Sequence, residues 1–167
     1  MLLNLTGEIS QDTINLLMEA LNQFEHNNLG KDDRLHIYFD SEGGDVNSMY
    51  VLIDIINRNK FIIELTGTGS LYSAAFLIFF SVKCVRKLLP GTIGMCHFIR
   101  TNIEVNGTKG YYTQDKVHQQ WNKYQNQWIV RFCQQIGMTA SEIARVKKTE
   151  EVYLHHSRLQ ELLDSSK

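Results

Sequence analysis

The sequence predicts an α/β fold with a mostly parallel sheet. Short apolar segments typical of strands alternate with segments whose apolar residues recur every three or four positions, as on one face of a helix. Glycines stand at several points where a strand gives way to a helix. Parallel neighbours need a helical crossover, which is right-handed, so such repeated units bring functional groups to the strand-to-helix turns.

Three strands are predicted in the first half of the chain, namely Leu2 to Leu5, Leu35 to Phe39 and Phe61 to Leu65. Turns containing glycine are expected to end these strands, at Thr6-Gly7, at Gly43-Gly44 and at Gly67 with Gly69. A polar loop is expected from Asn27 to Asp33. These turns are where the sequence predicts functional groups.

Each of these strands is followed by a predicted helix. Ser10 is expected to cap the first helix, whose apolar residues are Ile14, Leu17, Leu21 and Phe24. The second runs from Val46 to Ile56. The third, from Ser73 to about Val82, is apolar almost all round, which predicts that it is buried in the interior of the protein.

The second half begins with two short predicted strands, Cys84 to Leu89 and Thr92 to Phe98, around a bend at Pro90-Gly91. A hairpin or exposed loop is expected from Asn102 to Gly110. A long helix of about residues 111–136 follows, with an apolar stripe formed by Val117, Trp121, Tyr124, Trp128, Phe132 and Ile136. Gly137 is expected to end it, and Thr139 with Glu142 forms a capping box for the next helix.

The aromatic stripe of the long helix has two interpretations. A helical apolar stripe is the ordinary way for a helix to pack on its own domain. Tryptophan, tyrosine and phenylalanine are also enriched at contacts between proteins, and most other positions of this helix are polar. The spacing leaves both interpretations open.

Composition excludes several classes of protein. At 167 residues and 43% hydrophobic, the chain fits one domain spanning 1–167. Seventeen basic and eighteen acidic residues give no basic field for nucleic acid. The longest apolar run, Ala74 to Val82, is too short to span a membrane, and the start lacks a secretory pattern, so a cytoplasmic protein is expected. Three cysteines without CxxC spacing indicate reduced thiols and no zinc site.

Three segments carry residues suited to acyl chemistry. Gly69–Ala75 opens the buried helix with a serine, and Met95–His97 closes a later strand with a histidine. Asp40–Asp45 contains two glycines, whose backbone N–H groups can face an oxyanion without an obstructing side chain. Together these segments offer a nucleophile, a general base and oxyanion donors, the parts that acyl-bond cleavage needs beside a carboxylate.

In their order, these segments carry a resemblance to a known family. From Leu2 to about Asp164 the chain resembles the proteolytic subunit of the Clp protease, a ClpP-like serine peptidase of the crotonase-like superfamily. The family's Asn-Ser-Pro-Gly-Gly segment corresponds to Asp40–Gly44, and its nucleophile segment to Gly69–Ser73. Its Leu-Pro and Met-x-His segments correspond to Leu89-Pro90 and Met95–His97. The resemblance implies a spiral of repeated β-β-α units with a protruding long handle helix, here about residues 111–136.

The resemblance also implies roles for individual residues. Ser73 would be the nucleophile and His97 the general base, with N–H groups of Gly43 or Gly44 and of Ala74 as oxyanion donors. The family's orienting aspartate has no aspartate counterpart, and Glu151, or Glu150 if the register slips, falls at that position. A glutamate orients the histidine in some hydrolases. The cleavage step would need neither metal nor cofactor.

The implied partners are a peptide or unfolded protein substrate and further copies of the chain. A homo-oligomeric ring, heptameric or of stacked heptamers, is expected by resemblance. Family chains carry an N-terminal axial segment before the first strand, whereas here the sequence begins at that strand. This counts against coupling to a Clp-type ATPase and leaves that partner open.

Two alternative functions remain open. One is a catalytically silent ring subunit or scaffold, since Glu42 replaces the family proline, Tyr72 replaces a small residue and a glutamate stands in the triad. The other is a crotonase-like acyl-thioester enzyme, which shares the glycine oxyanion hole but has no need of the Ser73 and His97 pair.

The individual residues have simpler interpretations too. Ser73 could be an ordinary helix N-cap without a catalytic role, and His97 could be a hydrogen-bonded strand histidine. Glu150 and Glu151 would ordinarily be surface charges. His155-His156 are poor neighbouring metal ligands and are expected at the surface.

Overall fold

The computed structural model describes residues 1–27, 33–99, 103–105, 108–110, 116–148 and 150–166, and for 103–105, 108–110 and 116–119 it describes the backbone alone. The strands are β1 (Leu2–Ile9), β2 (Arg34–Gly44), β3 (Ile62–Tyr72), β4 (Val85–Leu88), β5 (Ile93–Cys96), β6 (Ile103–Val105), β7 (Thr108–Gly110) and β8 (Val152–Leu154). The helices are α1 (Gln11–His26), α2 (Val46–Arg58), α3 (Ala74–Ser81), α4 (Lys116–Gln135), α5 (Ala140–Lys147) and α6 (His156–Ser165).

The chain divides into two compact units. The first comprises Met1–Cys96 with Tyr153–Lys167, and the second His97–Val152. The expectation of a single domain spanning 1–167 stays a prediction.

The predicted α/β class and parallel sheet are confirmed. The main sheet has the strand order β1-β2-β3-β5-β8, and β4 also pairs with β3. The β1–β2, β2–β3, β3–β4 and β3–β5 pairs are all parallel. Since β4 pairs with residues 64–67 of β3 and β5 with residues 70–72, β3 changes partner just before it reaches α3.

The predicted strand ends are wrong for the first three strands. Glycines do not stop these strands, because β1 continues through Gly7 to Ile9 and β3 continues through Gly67 and Gly69 to Tyr72. Register shifts occur instead, one of them in β1 between Thr6 and Glu8, where Gly7 has a φ of +85°. A glycine can therefore bend a strand locally while its pairing continues on both sides.

The second predicted turn is also part of a strand, since β2 extends through Gly43-Gly44, with φ values of +98° and +149°. Directly after it, Asp45 caps α2, and its side chain accepts a hydrogen bond from the Ser48 N–H at 2.7 Å. The predicted loop from Asn27 to Asp33 lies mostly outside the described residues.

The first three predicted helices and the helix after Thr139 are confirmed within a few residues. Of the long helix predicted over about residues 111–136, the structure describes Lys116–Gln135 as helix, and residues 111–115 lie outside the described residues. Every residue of α3 from Ala74 to Phe80 is buried, as its all-round apolar sequence predicts. Ser10 is the N-cap of α1, and Thr139 and Glu142 form the capping box of α5, with reciprocal hydrogen bonds of 3.2 and 2.6 Å. Gly137, at a φ of +87°, follows α4.

The second unit contains the predicted hairpin and long helix. β6 and β7 pair antiparallel, and their predicted Asn106-Gly107 turn lies outside the described residues. In α4, Trp121 and Tyr124 are exposed, Tyr124 by 62%, whereas Ile129, Phe132 and Cys133 are buried. The predicted stripe is therefore not a single buried face. That α4 protrudes as a handle stays a prediction.

Two elements were missed by the sequence reading. β8 is three residues long and follows β5 in the strand order. α6 buries Leu159, Leu162 and Leu163, whose spacing of three and one residues is a helical signal within a short segment. None of the helices in the described part of the chain is long and apolar enough to cross a membrane.

Candidate active site

Ser73 stands at the turn between β3 and α3, in the first unit. Its φ is 54° and its ψ is −119°, and it is the one non-glycine residue with positive φ among those that the structure describes. Such a conformation costs a serine roughly 1–3 kcal/mol and is found most often at functional sites. The turn resembles the strand-to-helix elbow that presents the nucleophile in α/β-hydrolases.

Backbone hydrogen bonds hold this turn in place. The Ser73 N–H donates to the Met95 carbonyl at 2.8 Å, and the Leu77 N–H donates to the Ser73 carbonyl at 3.2 Å. The Ser73 hydroxyl makes no capping hydrogen bond, although the residue occupies the N-cap position. The simpler interpretation of Ser73 as a side-chain cap is therefore wrong, and its hydroxyl is not committed to the helix.

The two candidate oxyanion glycines face different neighbours. A Cβ added at Gly43 would lie 2.7 Å from the Ser73 Cβ and 3.0 Å from the Ala74 nitrogen. A Cβ added at Gly44 would instead lie 2.4 Å from the Ile9 carbonyl oxygen. Gly43 thus packs against the β3–α3 turn, whereas Gly44 packs against β1.

Backbone donors near Ser73 come from both sides of this contact. Ala74 is the first residue of α3, so its N–H has no partner within the helix, and the helix dipole is positive at this end. The Gly43 N–H is buried and donates to the Ser41 Oγ at 3.1 Å. Ser41 therefore helps to hold this segment, a contact for which the sequence motif alone gives no indication.

Asp40 is a second residue that helps to hold this region. Its carboxylate accepts a hydrogen bond from the Ser70 N–H at 2.8 Å, and its Oδ2 would lie 2.4 Å from a Cβ added at Gly69. Because Gly69 has a φ of +54°, a glycine suits this position both sterically and conformationally. Asp40 thereby fixes the backbone three residues before Ser73, a role that only the fold reveals.

An aromatic pair lies beside Ser73. The rings of Tyr72 and Tyr153 meet edge to face, with centroids 5.7 Å apart. Tyr72 is half-buried. It stands where the family has a small residue, and Tyr153 of the same unit packs against its ring.

His97 is the first residue of the second unit and is half-buried. Its Nδ1 lies 2.5 Å from the carbonyl oxygen of Phe98. A carbonyl at Nδ1 favours the tautomer with a proton on that nitrogen, which leaves Nε2 as the acceptor. The next residue, Ile99, donates its N–H to Asn126 Oδ1 of α4 at 3.0 Å, which ties this segment to the helix.

The two candidate orienting carboxylates differ in their surroundings. Glu150 Oε2 accepts a hydrogen bond from Arg145 Nε at 3.0 Å, an exposed ion pair within the second unit. Glu151 is exposed and precedes β8 directly.

The remaining sequence candidates lie elsewhere. His155 is exposed and caps α6, as expected of a surface residue. Within the described residues, no group of three or more His, Cys, Asp and Glu side chains could hold a metal ion. Cys96 and Cys133 are buried and are not in a disulfide, and burial raises the pKa of the Cys84 thiol to about 11.

Comparison with known proteins identifies the family. The family model of the Clp protease matches residues 2–135, and the chain therefore belongs to the Clp protease family. The resemblance drawn from the sequence motifs is confirmed.

Two curated relatives are proteolytic subunits 2 of ATP-dependent Clp proteases. The one from Borreliella burgdorferi is 30% identical over 109 residues, which are 60% of this chain and 54% of the relative. The one from Treponema pallidum is 27% identical over 122 residues, 68% of this chain and 60% of the relative. The matched region spans little more than half the length of these relatives.

Solved structures share the fold. A ClpP1 mutant from Listeria monocytogenes has a TM-score of 0.74 at 21% identity, with 99% of this chain and 94% of that chain covered. A mutant of the 1510-N membrane-bound stomatin-specific protease has a TM-score of 0.70 at 16% identity, with 96% and 74% covered. The predicted ClpP-like α/β class is thus confirmed.

Proposed function

We propose that the protein is a serine endopeptidase that cleaves peptide bonds through an acyl-enzyme at Ser73. The observation that carries this proposal is the strained backbone of Ser73, at a φ of 54°, beside Gly43 and the Ala74 nitrogen. The Ser73 hydroxyl does not cap α3, so no hydrogen bond from this side chain to the helix offsets the backbone strain. Family membership supports the same chemistry.

His97 is the proposed general base and Glu151 the proposed orienting carboxylate. His97 stands at the position of the histidine in the family's Met-x-His segment, two residues after Met95 in the sequence. Its Nε2 would receive the proton of Ser73, and Glu151 would take the place of the Phe98 carbonyl as the acceptor at Nδ1, because that nitrogen has one hydrogen to donate. Glu151 falls at the position of the family's orienting aspartate when Tyr153 is matched with the family aromatic, and Glu150 is the alternative if the register slips.

The reaction follows the serine peptidase scheme. Ser73 Oγ bonds to the carbonyl carbon as its proton passes to His97 Nε2, and the carbonyl electron pair moves onto oxygen. The N–H group of Gly43 or Gly44, together with that of Ala74, would stabilise that oxyanion. The C–N bond then breaks, the leaving amine takes the proton from His97, and water releases the acyl group by the same steps.

Labelling with a fluorophosphonate probe tests the nucleophile. We expect the wild type and Ser70→Ala to be labelled and Ser73→Ala to remain unlabelled. Ser70→Ala is a matched control, because Ser70 contacts Asp40 and β5 through its backbone, which alanine keeps. Equal labelling of wild type and Ser73→Ala would remove the catalytic proposal.

Turnover of a short fluorogenic peptide tests the third position. Glu151→Gln should lower kcat by a factor of ten or more, whereas Glu150→Gln should leave it nearly unchanged. If neither variant slows turnover, the group that orients His97 lies elsewhere.

A ring of identical subunits acting on peptides is the proposed assembly. The exposed Trp121 and Tyr124 of α4 support a contact between copies, because exposed aromatic residues are typical of interfaces. If no variant, wild type included, reacts with the probe, the silent ring subunit becomes the better description.

A further inference from the structure

A cavity of about 360 Å³ lies in the second unit, along one side of α4. Its lining from this helix consists of residues that stand three or four positions apart and therefore share one face, namely Lys123, Asn126, Gln127 and Val130. Phe98 and Lys147, the last residue of α5, also line it. Segments that are distant in the sequence thus meet at this cavity.

The cavity combines an apolar surface with positive charge. Phe98 and Val130 are half-buried, whereas Lys123 and Lys147 are exposed at its rim. Among the described residues, neither lysine has an ion-pair partner, and the described part of the lining contains no acidic side chain. An apolar ligand that carries an anionic group fits this arrangement, because each ammonium group can donate a charge-assisted hydrogen bond.

Asn126 connects the cavity to the segment that follows His97. Its Oδ1 accepts the Ile99 N–H at 3.0 Å, and the carbonyl oxygen of Phe98 lies 2.5 Å from His97 Nδ1. With its oxygen used in this way, the Asn126 side chain still has an NH₂ group that can donate to a ligand. The cavity therefore adjoins the chain segment that carries the proposed general base.

We propose that this cavity binds the carboxylate end of a peptide. The last side chain, an apolar one, would pack on Phe98 and Val130, and the carboxylate would lie near Lys123 and Lys147. The choice of ligand rests on the proposed peptidase function, because hydrolysis of the acyl-enzyme leaves a carboxylate at the end of the released peptide. The cavity is then a site that holds a product beside the segment of His97 before the product leaves.

Calorimetric titration of the Ser73→Ala variant tests this binding without turnover. The two probes are acetyl-alanyl-alanyl-leucine with a free carboxylate and the same peptide as its amide. The carboxylate form should bind about tenfold more tightly at low salt. The difference should shrink as salt is added, because exposed lysines are screened. Equal affinities, or no binding of either peptide, would overturn the inference.

Charge substitutions at the rim locate the site. In the same Ser73→Ala background, Lys123→Gln and Lys147→Gln should each weaken binding of the carboxylate peptide about threefold, as expected for exposed ion pairs, and leave the amide unaffected. Gln127→Glu keeps the shape of an exposed side chain that lines the cavity and adds a negative charge, so it should weaken binding at least as much.

Gln134→Glu is the matched control for charge. It makes the same change at an exposed position of α4 that is outside the cavity lining, seven residues and about 10 Å farther along the helix. At that distance an exposed charge is largely screened at about 0.1 M salt, so binding of the carboxylate peptide should be unchanged.

The remaining outcomes identify other occupants. If the lysine variants bind the carboxylate peptide as tightly as their parent, the peptide binds elsewhere and the inference is overturned. If octanoate binds as tightly as the peptide, any apolar anion fits and the assignment to a peptide end fails. If the lysine variants keep their affinity but sediment differently, this face contacts a second copy of the chain instead. None of these results depends on labelling of wild-type Ser73, so failure here and failure of the peptidase proposal are distinguishable.

Discussion

Two of the strand-to-helix turns of the first unit, those before α2 and α3, are built in opposite ways. Between β2 and α2, glycines take the positive φ angles, and Asp45 caps the helix through the Ser48 N–H. Between β3 and α3, a serine takes the positive φ angle and caps nothing with its side chain. The chain thus uses residues suited to the backbone at one turn and a strained residue at the other.

The two turns differ in the conformational cost of their backbone. Glycine and a side-chain cap stabilise a turn at little conformational cost, whereas a non-glycine residue at positive φ destabilises it. The same fold accommodates both turns side by side, since Gly43 of one packs against Ser73 of the other. Adding a side chain at a glycine of one turn, or placing a glycine at the serine of the other, should therefore change stability and activity by different amounts and in different directions.

The largest effect is expected from Gly43→Ala. The new Cβ would meet the Ser73 Cβ at 2.7 Å and the Tyr72 carbonyl oxygen at 2.8 Å, and alanine is strained at a φ of +98°. Crowding and strain together should lower the free energy of unfolding by about 3 kcal/mol. Activity should fall at least a hundredfold, measured as peptide turnover under conditions where the variant is folded.

Gly7→Ala separates the two causes. Gly7 also has a positive φ, of +85°, but nothing lies within 4 Å of a Cβ added there. Strain alone should cost about 1–2 kcal/mol in urea unfolding and leave turnover unchanged. Equal losses of stability in both variants would show that the contact between Gly43 and Ser73 is not tight.

A smaller effect of opposite sign is expected from Ser73→Gly. Glycine adopts positive φ readily, so the variant should unfold at higher denaturant concentration than Ser73→Ala, by about 1 kcal/mol. Both variants should be inactive, because neither has the hydroxyl. Ser73→Ala is the matched reference, since it removes the same oxygen and keeps the strain. A glycine variant no more stable than the alanine variant would argue against strain at this turn.

The smallest effect is expected at Asp45. Hydrogen bonds from the backbone and hydroxyl of Ser48 are the main cause of the lowered pKa of the Asp45 carboxyl. The stabilisation of the folded protein by this carboxylate is therefore complete above the ordinary carboxyl pKa. It is lost as the pH falls below that value and through the lowered pKa of the folded state. Asp45→Ala should cost about 1 kcal/mol at pH 7 and less at pH 3.

Asp45→Asn tests the same cap without the charge. Asparagine caps helices about as well as aspartate, so this variant should lose little stability at pH 7 and show a flatter pH dependence. A loss that stays constant from pH 7 to pH 3 in Asp45→Ala would contradict a titrating cap.

Much of the fold was predictable because its signals are local. The capping residues Ser10 and Thr139, the stop at Gly137 and the burial of α3 follow from short patterns. Strand ends were not predictable in this way. Gly7, Gly67 and Gly69 are typical of strand ends. In the sheet, however, pairing with the neighbouring strand resumes beyond each register shift, and this depends on contacts that are distant in the sequence.

The candidate site was predictable to a similar degree. Ser73, Gly43 and Ala74 stood in recognisable motifs, and the structure adds which glycine packs against Ser73. The contacts of Asp40 with Ser70 and of Ser41 with Gly43 had no signal of their own. They depend on the loop conformation that β2 and β3 impose on each other.

The complete burial of α3 has a consequence for how the molecule breathes. Because residues 74–80 of this helix are all buried, opening it locally would expose apolar side chains to water. Its amide hydrogens should therefore exchange with solvent only when the first unit unfolds as a whole. Ser73, joined directly to that helix, would keep its unusual backbone for as long as the unit itself survives.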